Sequence, residues 1–263
     1  MTKNKNETHS PDLQTALKAV RAAGAIVREG FYSSVNITIK SDQSLVTEYD
    51  HRAEQALIDI LGAETHFSIL SEETGSQEKK GDHLWIMDPI DGTSNFSRGL
   101  GICTVSLALF DKDGARIGVI GDPLRHDMYY AERGAGAFCN DQPIHVSDID
   151  DARKSLIILE CGHPPRDRQL MSRVWRRLAH FDVRQLGSTA YELCTVACGK
   201  TDAFICAGDQ IWDYAAGMLI VTEAGGRFCN WNGEPWQESN PHIYASNSYI
   251  DDLILPNIQD LQQ

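Results

Sequence analysis

Asp88-Pro89-Ile90-Asp91-Gly92-Thr93 is the stretch of this chain whose residue types and spacing point most directly to chemistry. Pro89 limits the backbone to an extended or turn path, which lets the Asp88 and Asp91 carboxylates point into one space. Two carboxylates this close repel, or one keeps its proton, unless a cation lies between them. Oxygen-only donors favour Mg²⁺, Mn²⁺ or Ca²⁺. Gly92 lets the backbone approach a ligand, and the following Thr93 and Ser94 offer N–H and hydroxyl donors to an anion. The local chemistry reads as a metal beside a phosphate; the plainer alternative is an acidic turn that caps a helix.

Such carboxylates need a strand end to present them. Leu84-Trp85-Ile86-Met87 is an apolar run with the length and composition of a buried strand, so Asp88 and Asp91 emerge where it stops. Phe67 to Leu70 predicts a second strand that delivers Glu72 and Glu73, of which one is expected to reach the site because adjacent strand residues face opposite ways. Leu13, Leu17, Val20, Gly24, Val27 and Phe31 predict an amphipathic helix from Pro11 to Phe31, and Ala53, Ala56, Leu57, Ile60 and Leu61 a second one. Between them, Ile37 to Lys40 alternates like a short strand ahead of the polar loop Ser41 to Ser44. Cys103 to Phe110, Arg116 to Gly121, Met128 to Glu132 and Ala137 to Asn140 read as hairpin-linked strands of one extended sheet, with Arg133 to Gly136 a turn and not a phosphate loop.

The polar stretch Asp148 to Lys154 marks the expected boundary between an N-terminal half, 11–150, and a C-terminal half, 151–263. In the second half Ser155 to Glu160 and Asp202 to Ala207 predict strands. Ser188 to Gly199 predicts a helix capped by Ser188, whose N-terminus suits an anion or a hydroxyl group. Asp213 opens the last long helix, where it could serve as a cap. Arg166 to Leu178 predicts a basic helix, and in so acidic a chain its arginines are read as a solvated face.

A formal net charge of −13 argues against non-specific binding to nucleic acid or anionic membranes, and it demands cations if the substrate is a phosphate. No apolar run reaches membrane-span length, and Met1 to Ser10 lacks the apolar core of a signal peptide. That opening is expected to be a disordered tail on a cytoplasmic protein. Seven cysteines without a C-x-x-C pair make neither a disulfide framework nor a zinc site.

Trp85 to Phe96, read with Ser71-Glu72-Glu73-Thr74 upstream, Gly187-Ser188-Thr189-Ala190 downstream, and Trp212 to Gly217 with Thr222 to Gly226 after that, resembles the signature set of the inositol monophosphatase family. That family also contains fructose bisphosphatases, bisphosphate nucleotidases and histidinol-phosphate phosphatases. The resemblance spans nearly the whole chain from about Pro11. It implies a layered α/β sandwich of alternating helix and sheet layers, and commonly a homodimer. By the same resemblance one Mg²⁺ is held by Glu72, Asp88 and the Ile90 carbonyl, and a second by Asp88, Asp91 and Asp213. A third, weaker ion sits near Glu72, and Mn²⁺ is an alternative metal. Glu72 and Thr93 would activate the attacking water, with Asp88 bridging the metals. Gly92, Thr93 and Ser94 would hold the phosphate, and Ser188, Thr189, Asp91 and Asp213 would line the substrate pocket. The family also brings Lys40 and the loop after it toward the site and places an acidic residue, here Asp50, near the loosely held metal.

The implied activity is a Mg²⁺-dependent, lithium-sensitive phosphomonoesterase acting on a small phosphorylated metabolite, most simply inositol 1-phosphate. One departure bears on substrate. Seven residues before the aspartate of the last motif, inositol phosphatases usually carry a glutamate that bonds sugar hydroxyls, and here that position is Cys206. A thiol is a poor hydroxyl partner, with Asp209 and Gln210 close enough in sequence to stand in. Fructose 1,6-bisphosphate, histidinol phosphate and adenosine 3′,5′-bisphosphate remain alternatives, as does a regulatory protein that keeps the metal site and works through a partner.

Overall fold

A computed structural model describes residues 9–41, 43–77, 81–162, 164–237 and 240–262. The chain begins with α1 (Pro11–Phe31), β1 (Ile37–Ile39), β2 (Leu45–Thr47), α2 (Glu48–Glu64), β3 (Ser68–Ser71), β4 (Gly75–Gln77), β5 (Leu84–Asp91) and α3 (Thr93–Arg98). It continues through β6 (Thr104–Asp111), β7 (Gly114–Asp122), β8 (Asp127–Glu132), β9 (Ala137–Cys139), β10 (Gln142–Pro143), β11 (Leu156–Cys161), α4 (Pro165–Arg177) and β12 (Asp182–Arg184). It closes with α5 (Thr189–Ala197), β13 (Ala203–Ala207), α6 (Ile211–Glu223), β14 (Arg227–Cys229), β15 (His242–Ser246), α7 (Asp251–Ile254) and two short 3-10 turns. Most of the tail expected over residues 1–10 lies outside the described residues. Its last residue, Ser10, is the N-cap of α1 and accepts a hydrogen bond from the Leu13 N–H at 3.2 Å.

Strands β10-β9-β8-β7-β6-β5-β3-β4, in that spatial order, form an eight-stranded sheet, and β12-β11-β13-β15-β14 form a five-stranded one. Alternation along the strands then sets the layers. Trp85 and Met87 of β5 pack with Leu17, Val20, Val27, Leu57 and Leu61 of α1 and α2, while the intervening Ile86 packs with α5 and α6. In the smaller sheet Ile158, Phe204 and Cys206 join that same α5–α6 layer, and Ile157, Leu159, Ile205 and Ala207 pack against Met171, Val174 and Leu178 of α4 with Ile250 and Ile254. The result is five alternating layers, helix–sheet–helix–sheet–helix. Helices on both faces explain why β5 is a continuous apolar run and not an alternating one.

Candidate active site

Asp88 and Asp91 are three apart, and on a regular strand that spacing would send them to opposite faces. The register shows how they meet: Asp88 pairs with Ser106 and Asp91 with Thr104 of β6, so three steps on one strand match two on the other. This bulge re-aims Asp91. The first turn of α6 brings Asp213 to the same point, and one carboxylate oxygen from each of the three lies within 4.8 Å of the others. Asp88 and Asp91 are only 2% and 6% exposed.

Burial dominates the electrostatics. It holds Asp88 well above the usual carboxylate range, with Glu72, Asp91 and Asp213 adding like charge. Burial likewise raises Asp91 to about 6, against the pull of donors from Ser188, the Ala190 N–H at 2.9 Å and Thr104 at 3.1 Å. All three donors go to Oδ2, which leaves Oδ1 for the cluster. Asp213 is raised by burial and by Asp209 and Asp91, and it also accepts from the Gln210 N–H at 2.7 Å, so it caps α6 while facing the cluster. None of these three carboxylates has a cationic side chain as partner among the described residues. Crowded, buried, oxygen-only donors of this kind fit a hard divalent cation.

Around the trio sit the other expected residues. Glu72 follows β3 and hydrogen-bonds Asp88, without itself belonging to the tight trio. Lys40 reaches it at 2.7 Å and also reaches Glu73 at 2.6 Å. Both glutamates lie beyond the last paired residue of β3; Glu72 lines the cleft as expected and Glu73 does not, its carboxylate being held by Lys40 and its pKa pushed by burial to about 7. Burial works against the Lys40 charge, but Glu72 and Glu73 outweigh it and hold its pKa above the ordinary value. The Ile90 N–H donates to Asp88 Oδ1 at 2.9 Å, and the Ile90 carbonyl lies 2.9 Å from Thr93 Oγ1.

Thr93 Oγ1 is also 2.9 Å from Asp50 Oδ1, a contact the sequence reading did not anticipate. Asp50 is fully buried at the start of α2, where its other oxygen accepts the Thr47 N–H at 2.8 Å in a capping box. The Thr47-x-x-Asp50 spacing is the local signal that was available. Gly92 has φ +89, and a Cβ there would come within 2.9 Å of the Ile102 carbonyl and 3.0 Å of the Gly187 carbonyl. Only glycine lets the chain turn from β5 into α3 this close to the 187–189 segment.

The predicted pocket wall is partly rearranged. Thr189 lines the cleft and donates to Asp209 at 2.5 Å, and Gly92, Thr93, Ser94, Asp91 and Asp213 line it too. Ser188 does not. Its hydroxyl makes no cap bond to α5 and is turned inward onto Asp91, which it positions. Cys206 is likewise absent from the wall: it is fully buried in β13, with its thiol bonded to Asp209. Glu160, at the end of β11, and Asp209 supply the carboxylates on that side, Glu160 accepting from Gln185 at 2.8 Å and Gly187 at 3.0 Å. The cleft measures about 1280 Å³, and its far side is α4, with Arg166, Arg168, Ser172, Trp175 and Arg176 facing it. The helix read as a solvated basic face therefore borders the site.

A profile of the inositol monophosphatase family matches residues 9–263. The chain is 35% identical over 259 residues to a Nus factor SuhB from Pasteurella multocida, covering 95% of this chain and 96% of that one. It is also 35% identical over 256 residues to inositol monophosphatase 1 from Sus scrofa, covering 93% and 92%. Among solved structures, the SuhB extragenic suppressor protein from Bartonella henselae superposes with a TM-score of 0.91 at 29% identity, over 95% of this chain and 99% of that one. The IMPase TM1415 from Thermotoga maritima does so at 0.88 and 29%, over 96% and 98%. The carboxylate trio, the layered fold and these full-length matches agree that the chain belongs to the inositol monophosphatase family.

Proposed function

We propose that this protein is a Mg²⁺-dependent phosphomonoesterase of a small phosphorylated alcohol, with inositol 1-phosphate the reference substrate. The observation that carries the reading is that the Asp88–Asp91–Asp213 cluster and Thr93, itself backed by the buried Asp50, line one large cleft. Asp88, Asp91 and Asp213, with Glu72 and the Ile90 carbonyl, would hold two to three Mg²⁺ ions, for which Mn²⁺ could substitute. Bound there, divalent ions supply a nucleophile near neutral pH and charge stabilisation for a reaction that is among the slowest known without a catalyst.

The chain's own groups do the positioning. Donating its hydrogen bond to Asp50 Oδ1, the Thr93 hydroxyl presents its oxygen lone pairs to a water; the water's proton passes to Thr93 as the Thr93 proton passes to the Asp50 carboxylate. Burial raises the pKa of Asp50, which suits it as the terminal base. Glu72 orients the same water. The N–H groups of Gly92 and Thr93 and the Ser94 hydroxyl hold the phosphate. In this reading lithium inhibits, and the protein works as a cytoplasmic homodimer. Seven free cysteines fit a reducing compartment, and no helix among the described residues is long and apolar enough to cross a membrane.

The test is phosphate release from a substrate panel with Mg²⁺ or with chelator, using Asp91→Asn as control. Turnover that needs Mg²⁺ and vanishes in the variant supports the proposal; no release from a folded, metal-loaded protein sinks it. The relative named Nus factor SuhB favours a second reading, regulation through a partner with the metal site kept. That reading gains if metal binds normally and no substrate turns over.

A further inference from the structure

The phosphatase reading leaves the α4 wall of the cleft without a task. We propose that the alcohol portion of the substrate carries a second anionic group, such as a second phosphate, held by Arg168 and Arg176. Arg168, Ser172, Trp175 and Arg176 fall at i, i+4, i+7 and i+8, one stripe of the helix. Met171, Val174 and Leu178, on the neighbouring stripe, pack into the core beneath the five-stranded sheet. That packing fixes the rotation of α4 and aims the arginine stripe at the cleft.

Four cationic side chains line the cleft among the described residues: Lys40, Arg166, Arg168 and Arg176. Lys40 is committed to Glu72 and Glu73, and Arg166 Nε lies 3.3 Å from Asp167 Oδ1. Arg168 and Arg176 form no ion pair among the described residues. In a chain of net charge −13, two uncommitted guanidinium groups facing the acidic centre are an anion-recognition element, and their forked donors match phosphate. Trp175, 45% exposed, adds a flat apolar surface between them.

Size and the missing hydroxyl partner point the same way. The cleft of about 1280 Å³ exceeds the usual range of roughly 300–1,000 Å³ for a small-ligand site, so a polyol monophosphate seated at the carboxylates would leave α4 untouched. Cys206, buried in β13, offers such a polyol nothing.

This inference rests on the phosphatase reading, and the experiment separates the two. Values of kcat/KM are compared for fructose 1,6-bisphosphate and adenosine 3′,5′-bisphosphate against inositol 1-phosphate. The proteins are wild type, Arg168→Gln, Arg176→Gln and, as control, Arg173→Gln on the same helix but off the cleft wall. Wild type is expected to prefer one of the bisphosphates. Each cleft-facing substitution should lower that preference by about tenfold, mainly through KM, as loss of a charge-assisted bond predicts. Inhibition by the product that keeps the second phosphate should weaken in parallel, and Arg173→Gln should change neither. A preference for inositol 1-phosphate, or a ratio unmoved by Arg168→Gln and Arg176→Gln, overturns the inference and leaves the phosphatase reading standing. Release from no substrate overturns both.

Discussion

Replacing Asp91 by asparagine should make the metal-free protein more stable while removing its activity. The amide oxygen can keep the three hydrogen bonds now made to Oδ2, from Ser188, Ala190 and Thr104. What disappears is a buried charge. Raising this carboxylate from its ordinary 3.8 to about 6 corresponds to about 3 kcal/mol, at roughly 1.36 kcal/mol per factor of ten. The sign follows from the direction of the shift. The folded state holds the proton more tightly than the unfolded one, so folding is penalised increasingly as pH rises from about 4 to about 6, and fully above that. In chelator at about pH 8, Asp91→Asn should therefore melt higher, on the order of 6–12 °C for a chain of this size. Below about pH 4 the difference should vanish. Mg²⁺ at about 1,000 times Kd should invert the order, because it stabilises wild type by roughly 4.1 kcal/mol, more than the penalty of about 3 kcal/mol, and the variant by much less. Thermal melts at several pH values, with chelator and with Mg²⁺, read all of this. A variant that melts lower in chelator at about pH 8, or gains as much from Mg²⁺ as wild type, would refute the picture of a cluster strained until metal binds.

Three further outcomes are expected. Thr93→Ala and Asp50→Asn should each lower kcat by about 10²–10⁴-fold, the range for general-base assistance, with Mg²⁺ affinity by calorimetry changed far less. Apparent Mg²⁺ affinity should rise from about pH 5 to 8, with proton release on binding, because Asp91 and Asp88 hold protons above the ordinary carboxylate range; a pH-independent affinity would contradict the assignment. Cys206→Glu should cost about 2 kcal/mol or more in denaturant unfolding, since the new carboxyl would be buried in β13 against Asp209 beside Glu160; an unchanged midpoint would show that the position opens to the cleft.

Features governed by local pattern were legible in the sequence. The run before Asp88 marks β5, and the stripe from Leu13 to Phe31 marks α1 at the bounds observed. The resemblance carried the layered fold. Features governed by distant partners were not legible. In the sequence Pro89 looks like the device that aligns Asp88 and Asp91, whereas the observed device is a bulge set by the register against β6. Ser188 has the sequence of an N-cap, but its hydroxyl goes to Asp91, 97 positions earlier. Arg168 and Arg176 look like solvated charges until packing of the apolar stripe of α4 orients them. β4, β12 and β14 have three residues each, too few to show a period.

If Asp88, Asp91 and Asp213 form the metal site of a phosphatase, the ions can be located there. The most direct measurement is anomalous scattering from crystals soaked in Mn²⁺. Anomalous peaks are expected among these three carboxylates, with one ion shared through Asp88 and adjoining Glu72 and the Ile90 carbonyl, and their loss in Asp91→Asn. Absence of peaks there in crystals of protein that hydrolyses phosphate with Mn²⁺, or strong peaks only elsewhere, would contradict the assignment.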